Sequence, residues 1–267
     1  MTALAEITTF LDAHPGIAIV EVTRARGSTP REEGAWMLVS PAAMLGTIGG
    51  GALEFMAIAR AREALSGNIE TDAMDVPLGP EIGQCCGGRV ELTIRLMDRA
   101  ARRSFLDKVR ADDAALPNIL IFGGGHVGHA LASAFSLLPV KVSVMETRAE
   151  ALEGMPGNVT TRLTAVPEDA VRDAPAGSAI VVLTHDHALD FLIVAEALKR
   201  RDLAYVGMIG SRTKRATFTS WYLREAGGND ADLTRLISPI GGDTLRDKRP
   251  SVIAALAAAE TIRALQR

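Results

Sequence analysis

From Asn118 onward the chain repeats one pattern, a short apolar strand followed by helix-forming sequence, and this constrains the fold more than any other feature. The strands read from it are Ile119–Phe122, Val140–Met145, Ala179–Leu183 and Ala204–Ile209. Runs of this kind are buried on both faces, which predicts a doubly wound parallel sheet. Between the first of these strands and its helix, which runs through Leu131 and Phe135, stands Gly123-Gly124-Gly125-His126-Val127-Gly128. In that context Gly123, Gly125 and Gly128 form a G-x-G-x-x-G turn that lets a phosphate approach a helix N-terminus, with His126 beside it. Glu146 ends the following strand, where an acid can hold a ribose hydroxyl. The turn accepts any phosphate-bearing ligand, and a close strand–helix packing turn without a ligand is the other reading.

Residues 1–112 read differently, as a small α/β domain with a linker helix, leaving 113–267 as the Rossmann-like domain. Strands are expected at Ile17–Val22, Trp36–Val39 and Arg89–Leu96; the last alternates Val90, Leu92, Ile94 and Leu96 against Arg89, Glu91, Thr93 and Arg95. The glycine-rich turn Gly46–Gly51 feeds a helix with apolar positions at Leu53, Met56, Ala57, Ala61, Ala64 and Leu65. Gly49, Gly50, Gly51 and Glu54 make it a second candidate cradle for an anionic or polar group, with a plain tight turn as the alternative. A charged, alanine-rich helix spans about residues 99–117, and Val252–Leu265 is a helix opened by Pro250.

Both cysteines of the chain lie in Gln84-Cys85-Cys86-Gly87-Gly88. Adjacent Cα atoms are about 3.8 Å apart, short of the usual disulfide span. Two free thiols before Gly87 and Gly88 describe a loop that can approach a soft metal, a sulfur species or a phosphate. Two small buried hydrophobes ahead of a turn would explain the same residues.

Two further segments lie at expected carboxyl ends of strands, where such sheets bind ligands. His185-Asp186-His187 offers ligand contacts through His185 and Asp186, or a helix cap from Asp186. In Gly210–Arg215, Ser211 is a natural N-cap that puts Arg212, Lys214 and Arg215 in the first turn. Cations there oppose the helix dipole unless an anion joins them, which is the favoured reading.

Hydrophobic residues make up 48% of the 267, and the net charge is −3, so nothing draws the chain to nucleic acid or an anionic membrane. Free thiols, and no basic-then-apolar run at Met1–Glu6, lead to the expectation of a cytoplasmic protein with no membrane span. No Ser-His-Asp elbow, C-x-x-C pair or P-loop lysine is present in the sequence.

Arg26-Gly27-Ser28-Thr29-Pro30-Arg31, Gly46 to Glu54, Leu78 to Gly88, Phe122 to His129, Thr184 to His187 and Gly207 to Arg215 together resemble the XdhC/CoxI family, specifically its XdhC branch. Cys86 matches the cysteine of that family's C-G-G motif and Cys85 the doubled form of the branch. Ala52 stands where CoxI-type members tend to carry a cysteine. The resemblance implies an accessory protein without a catalytic centre of its own. It would bind the molybdenum cofactor (molybdopterin), protect it, support its sulfuration and insert it into xanthine dehydrogenase, with Cys86 touching the molybdenum. Implied partners are apo-xanthine dehydrogenase, a cysteine desulfurase and molybdenum-cofactor biosynthesis proteins. A homodimer and a nucleotide at the Rossmann site stay open, as do two rival functions, an NAD(P)-dependent oxidoreductase and a thiol-based sulfur carrier.

Overall fold

The computed structural model describes residues 4–80, 83, 87–242, 245 and 247–266. Two compact units divide after Ala115; the division expected after residue 112 falls within the helix that ends at Ala114.

The first unit contains α1 (Leu4–Ala13), β1 (Ala18–Arg26), β2 (Trp36–Val39), β3 (Met44–Gly46), α2 (Gly51–Gly67), β4 (Thr71–Pro77), β5 (Arg89–Leu96) and α3 (Arg99–Ala114). Its strands form a five-stranded sheet in the order β3-β2-β1-β5-β4. All of the pairings are antiparallel. One face carries Ala18, Val20, Val22, Val90, Leu92 and Ile94 against Leu53, Ala57, Ala61 and Ala64 of α2. Those α2 residues recur at helical period, and their small side chains let the helix ride close to the sheet. The other face packs Ile17, Ile19 and Leu38 against Ile7, Leu11 and Phe105 from α1 and α3. Arg102 of α3 donates to the carbonyls of Leu11 at 2.7 Å and His14 at 2.9 Å, satisfying acceptors left open at the end of α1.

β1 and β5 change register between Val22 and Arg24, where Thr23 Oγ1 donates to the Glu91 carbonyl at 3.0 Å. Such an irregularity bends the strand, here just ahead of the Arg26–Arg31 turn.

The second unit begins with β6 (Asn118–Phe122), α4 (His126–Phe135), β7 (Lys141–Glu146), a 3-10 turn at Ala149–Leu152 and β8 (Thr160–Leu163). It continues with α5 (Asp169–Asp173), β9 (Ala179–Val182), α6 (His187–Lys199), β10 (Tyr205–Met208), α7 (Arg212–Arg224), α8 (Asp230–Leu233), β11 (Leu236–Ile237) and α9 (Pro250–Leu265). The sheet has six strands in the order β11-β10-β9-β6-β7-β8. Its pairings are all parallel. Two apolar layers cover it, one built on α6 and α7 and the other on α4 and α9. This is the Rossmann-like fold expected from the alternation. Strand order reverses between β6 and β9, so the ligand-binding crevice of such a sheet opens there.

Candidate functional site

In the first unit, segments distant in sequence meet through their glycines. A Cβ on Gly49 would stand 2.8 Å from Pro30 Cβ, so only glycine lets the Gly46–Gly51 turn close against the Arg26–Arg31 turn. A Cβ on Gly88 would overlap the Ser28 carbonyl oxygen and lie 2.8 Å from that of Arg26. Gly88 is set there by its carbonyl, which accepts from Leu78 N at 2.8 Å, while Gly87 N donates to the Leu78 carbonyl at 2.9 Å. Cys85 and Cys86, which precede these glycines in the chain, lie outside the described residues.

The neighbours of the packed glycines are unobstructed. Among the described residues, nothing lies within 4 Å of where a Cβ on Gly50 or Gly87 would stand. Each pair therefore has one glycine that locks segments together and one with open space before it. Glu54 Oε1 accepts from Thr47 Oγ1 at 2.7 Å and Ile48 N at 3.0 Å, and Thr47 Oγ1 accepts from Gly49 N at 3.1 Å. Glu54 thus fixes the shape of the turn, and Gly51 opens α2 behind it. A separate half-open cleft of about 670 Å³ in this unit is lined by Glu21, Arg95, Phe105 and Lys108 and shares no residue with the glycine cluster.

In the second unit the β6–α4 turn follows the same division. Cβ atoms on Gly124 and Gly128 would overlap the carbonyl oxygens of Ala151 and Gly123, and one on Gly123 would lie 2.8 Å from Leu183 C. Gly125, the N-cap of α4 with φ −71°, has nothing among the described residues within 4 Å of its Cβ position. His126 beside it is exposed.

Glu146, at the end of β7, is 3% exposed. Its Oε2 accepts from Gly124 N at 2.8 Å, and its Oε1 accepts from Thr147 N at 2.8 Å and Arg148 N at 3.2 Å. Arg148 Nη2 lies 3.3 Å from Oε2. Burial alone would raise the carboxyl pKa; the hydrogen bonds from Gly124, Arg148 and Thr147 outweigh it and hold the group at about 2. Its oxygens are turned to the glycine turn.

Asp186 Oδ1 accepts from Ala188 N at 2.8 Å and caps α6, while His185 and His187 are exposed. Ser211 caps α7, its hydroxyl accepting from Lys214 N at 3.2 Å. The cations of that first turn go separate ways. Lys214, 9% exposed, is ion-paired with Asp190, which is 0% exposed. Arg215 donates to the Ser238 carbonyl at 3.0 Å, and Arg212 is exposed. For Lys214 the anion expected at this helix start is therefore a side chain of the same unit.

Asp190 was not read from the sequence as a functional position. Its Oδ1 also accepts from Thr184 N at 2.9 Å and Thr184 Oγ1 at 2.7 Å, so it ties the β9–α6 loop to α7. The only sequence signal for it is an acid in the first turn of α6. Among the described residues, no group of three or more His, Cys, Asp or Glu is placed to hold a metal ion, and no helix is long and apolar enough to cross a membrane.

These features define a two-unit α/β protein that pairs a glycine-clustered antiparallel unit with a Rossmann-type unit. Residues 119–261 match the XdhC Rossmann domain, and residues 10–71 match the XdhC and CoxI family. The chain belongs to the XdhC and CoxI family.

YqeB of Escherichia coli K12, described as an uncharacterized protein, is 27% identical over 240 residues, or 84% of this chain. The chain spans 39% of the length of that curated relative. A crystal structure described as a xanthine dehydrogenase from Bacillus halodurans superposes with a TM-score of 0.82 at 17% identity, covering 100% of this chain and 96% of that one. At that identity the likeness is one of fold.

Proposed function

We propose that this chain is an accessory protein in the maturation of xanthine dehydrogenase, carrying the molybdenum cofactor rather than turning over a substrate. Family membership supports the maturation role. The observation that carries the cofactor reading is the meeting of the Arg26–Arg31, Gly46–Gly51 and Gly87–Gly88 segments, with Gly50 and Gly87 open. Those two glycines leave room that a side chain would fill, which fits close approach of a flat, polar group to the backbone.

The cofactor supplies a sulfur-bound molybdenum centre whose sulfurated form is the one wanted by the dehydrogenase. Cys86, with Cys85 before it, supplies soft thiolates suited to such a centre or to sulfane sulfur. Gly50 and Gly87 supply close backbone contact, and Glu54 with Thr47 keeps the Gly46–Gly51 turn in shape. Apo-xanthine dehydrogenase is the receiving partner, and a cysteine desulfurase is the sulfur source.

The test is transfer. The chain is loaded anaerobically with cofactor, separated from excess, and mixed with apo-xanthine dehydrogenase. Dehydrogenase activity should appear in proportion to the molybdenum carried in and exceed that given by free cofactor at the same dilution; equal activation by free cofactor alone would contradict carriage.

A second reading adds a nucleotide at the β6–α4 turn, and the open face of Gly125 favours it. Fluorescence titration with NADH and NADPH tests that addition separately.

A further inference from the structure

We propose that Arg31 is the cation that receives the terminal phosphate monoester of the carried cofactor, a pyranopterin dithiolene; this rests on the cofactor-carrying role proposed above. Arg31 Cγ lies 3.6 Å from where a Cβ on Gly49 would stand, so its stem runs along the turn that has Gly50 open beside it. The side chain is exposed and makes no hydrogen bond or ion pair among the described residues.

Most other charges around the cluster are already held by partners. Arg89 forks onto Asp75 at 2.6 and 2.7 Å, and Arg26 lies 3.7 Å from Glu91. Glu54 Oε1 is taken by Thr47 and Ile48, and Glu33 Oε1 accepts from Ala25 N at 3.2 Å. Glu32, next in sequence to Arg31, is exposed and also makes no ion pair among the described residues. Arg31, its stem against the turn, therefore has no carboxylate paired with it among the described residues. A planar fork of donors matches two oxygens of a phosphate at once, which a lysine ammonium does not. A phosphate monoester, dianionic near neutral pH, is the ligand class that this site selects.

The experiment compares two ligands on the full chain under anaerobic conditions, the intact cofactor and the cofactor freed of its phosphate by a phosphatase. Bound pterin is quantified by fluorescence after oxidation, for the wild type, Arg31→Gln and Glu32→Gln. Arg31→Gln should bind the intact cofactor roughly tenfold more weakly and the dephosphorylated one as wild type does, so its preference for the phosphate collapses. Glu32→Gln should keep that preference. An Arg31→Gln protein that still prefers the phosphorylated form overturns the proposal, as does equal weakening for both ligands. A wild type that binds both forms equally overturns it while leaving cofactor carriage intact. A wild type that binds neither removes the carrier role and this proposal together.

Discussion

Gly88 sits so close to Ser28 that a methyl group on it would overlap the Ser28 carbonyl oxygen. Because the obstacle is backbone on both sides, neither partner can swing away. Gly88→Ala should cost about 1–3 kcal/mol or more through forced displacement of the turn. Urea denaturation of the variant against wild type checks this, and an unchanged midpoint would contradict the packing described.

Gly125→Ala makes the contrasting case. The residue has φ −71° and open space at its Cβ position, so alanine meets neither strain nor a neighbour. Stability should stay within about 1 kcal/mol of wild type, with a small gain from the stiffer unfolded chain. If a nucleotide uses this turn, its binding should fall at least tenfold in the same variant. Thermal denaturation and NADH titration read the two effects independently.

Asp190 and Lys214 form a buried pair with nothing else of opposite charge described beside them. Removing one partner strands the other charge, which costs about 3–5 kcal/mol. Asp190→Ala should be strongly destabilised, and Asp190→Ala combined with Lys214→Met should recover a large part of the loss. A double variant no more stable than Asp190→Ala would count against an ion pair as the source of the effect.

Glu146 predicts a pH dependence. Its folded pKa, about 2, lies below the ordinary value of 4.5, so its contribution to stability is full above pH 4.5 and fades as pH falls towards 2. The size is about 3–4 kcal/mol at most. Glu146→Gln should be less stable at pH 6 and show a shallower fall in stability across that window. Urea midpoints for both proteins between pH 2.5 and 6 provide the measurement.

Much of the fold was legible because burial writes itself into period and composition. β5 alternates along its length, with Val90, Leu92 and Ile94 buried as their spacing required. β9 and β10 are buried at every position and read as continuous apolar runs. β4 escaped notice because Thr71–Pro77 is mostly exposed and carries Asp72, Asp75 and Pro77. β8 is exposed along its whole length, so no hydrophobic pattern marks it. In the candidate site the glycine motifs were visible, but which glycine locks and which stays open depends on neighbours far away in sequence. Pro30 against Gly49 and Ser28 against Gly88 are such neighbours. The sequence pointed to an anion beside Lys214 but could not name it, because that anion is Asp190, in a different helix. Arg31 carried no signal of its own beyond its place in a family motif.

Anaerobic retention bears on cofactor carriage through the cysteine loop without any intermediate step. Wild type and Cys86→Ala are incubated with molybdenum cofactor, freed of excess, and assayed for bound molybdenum and pterin. Wild type should retain both in equal amounts, and Cys86→Ala should lose most of each. Equal retention by the two proteins would contradict the role given to Cys86, and no retention by either would contradict cofactor carriage itself.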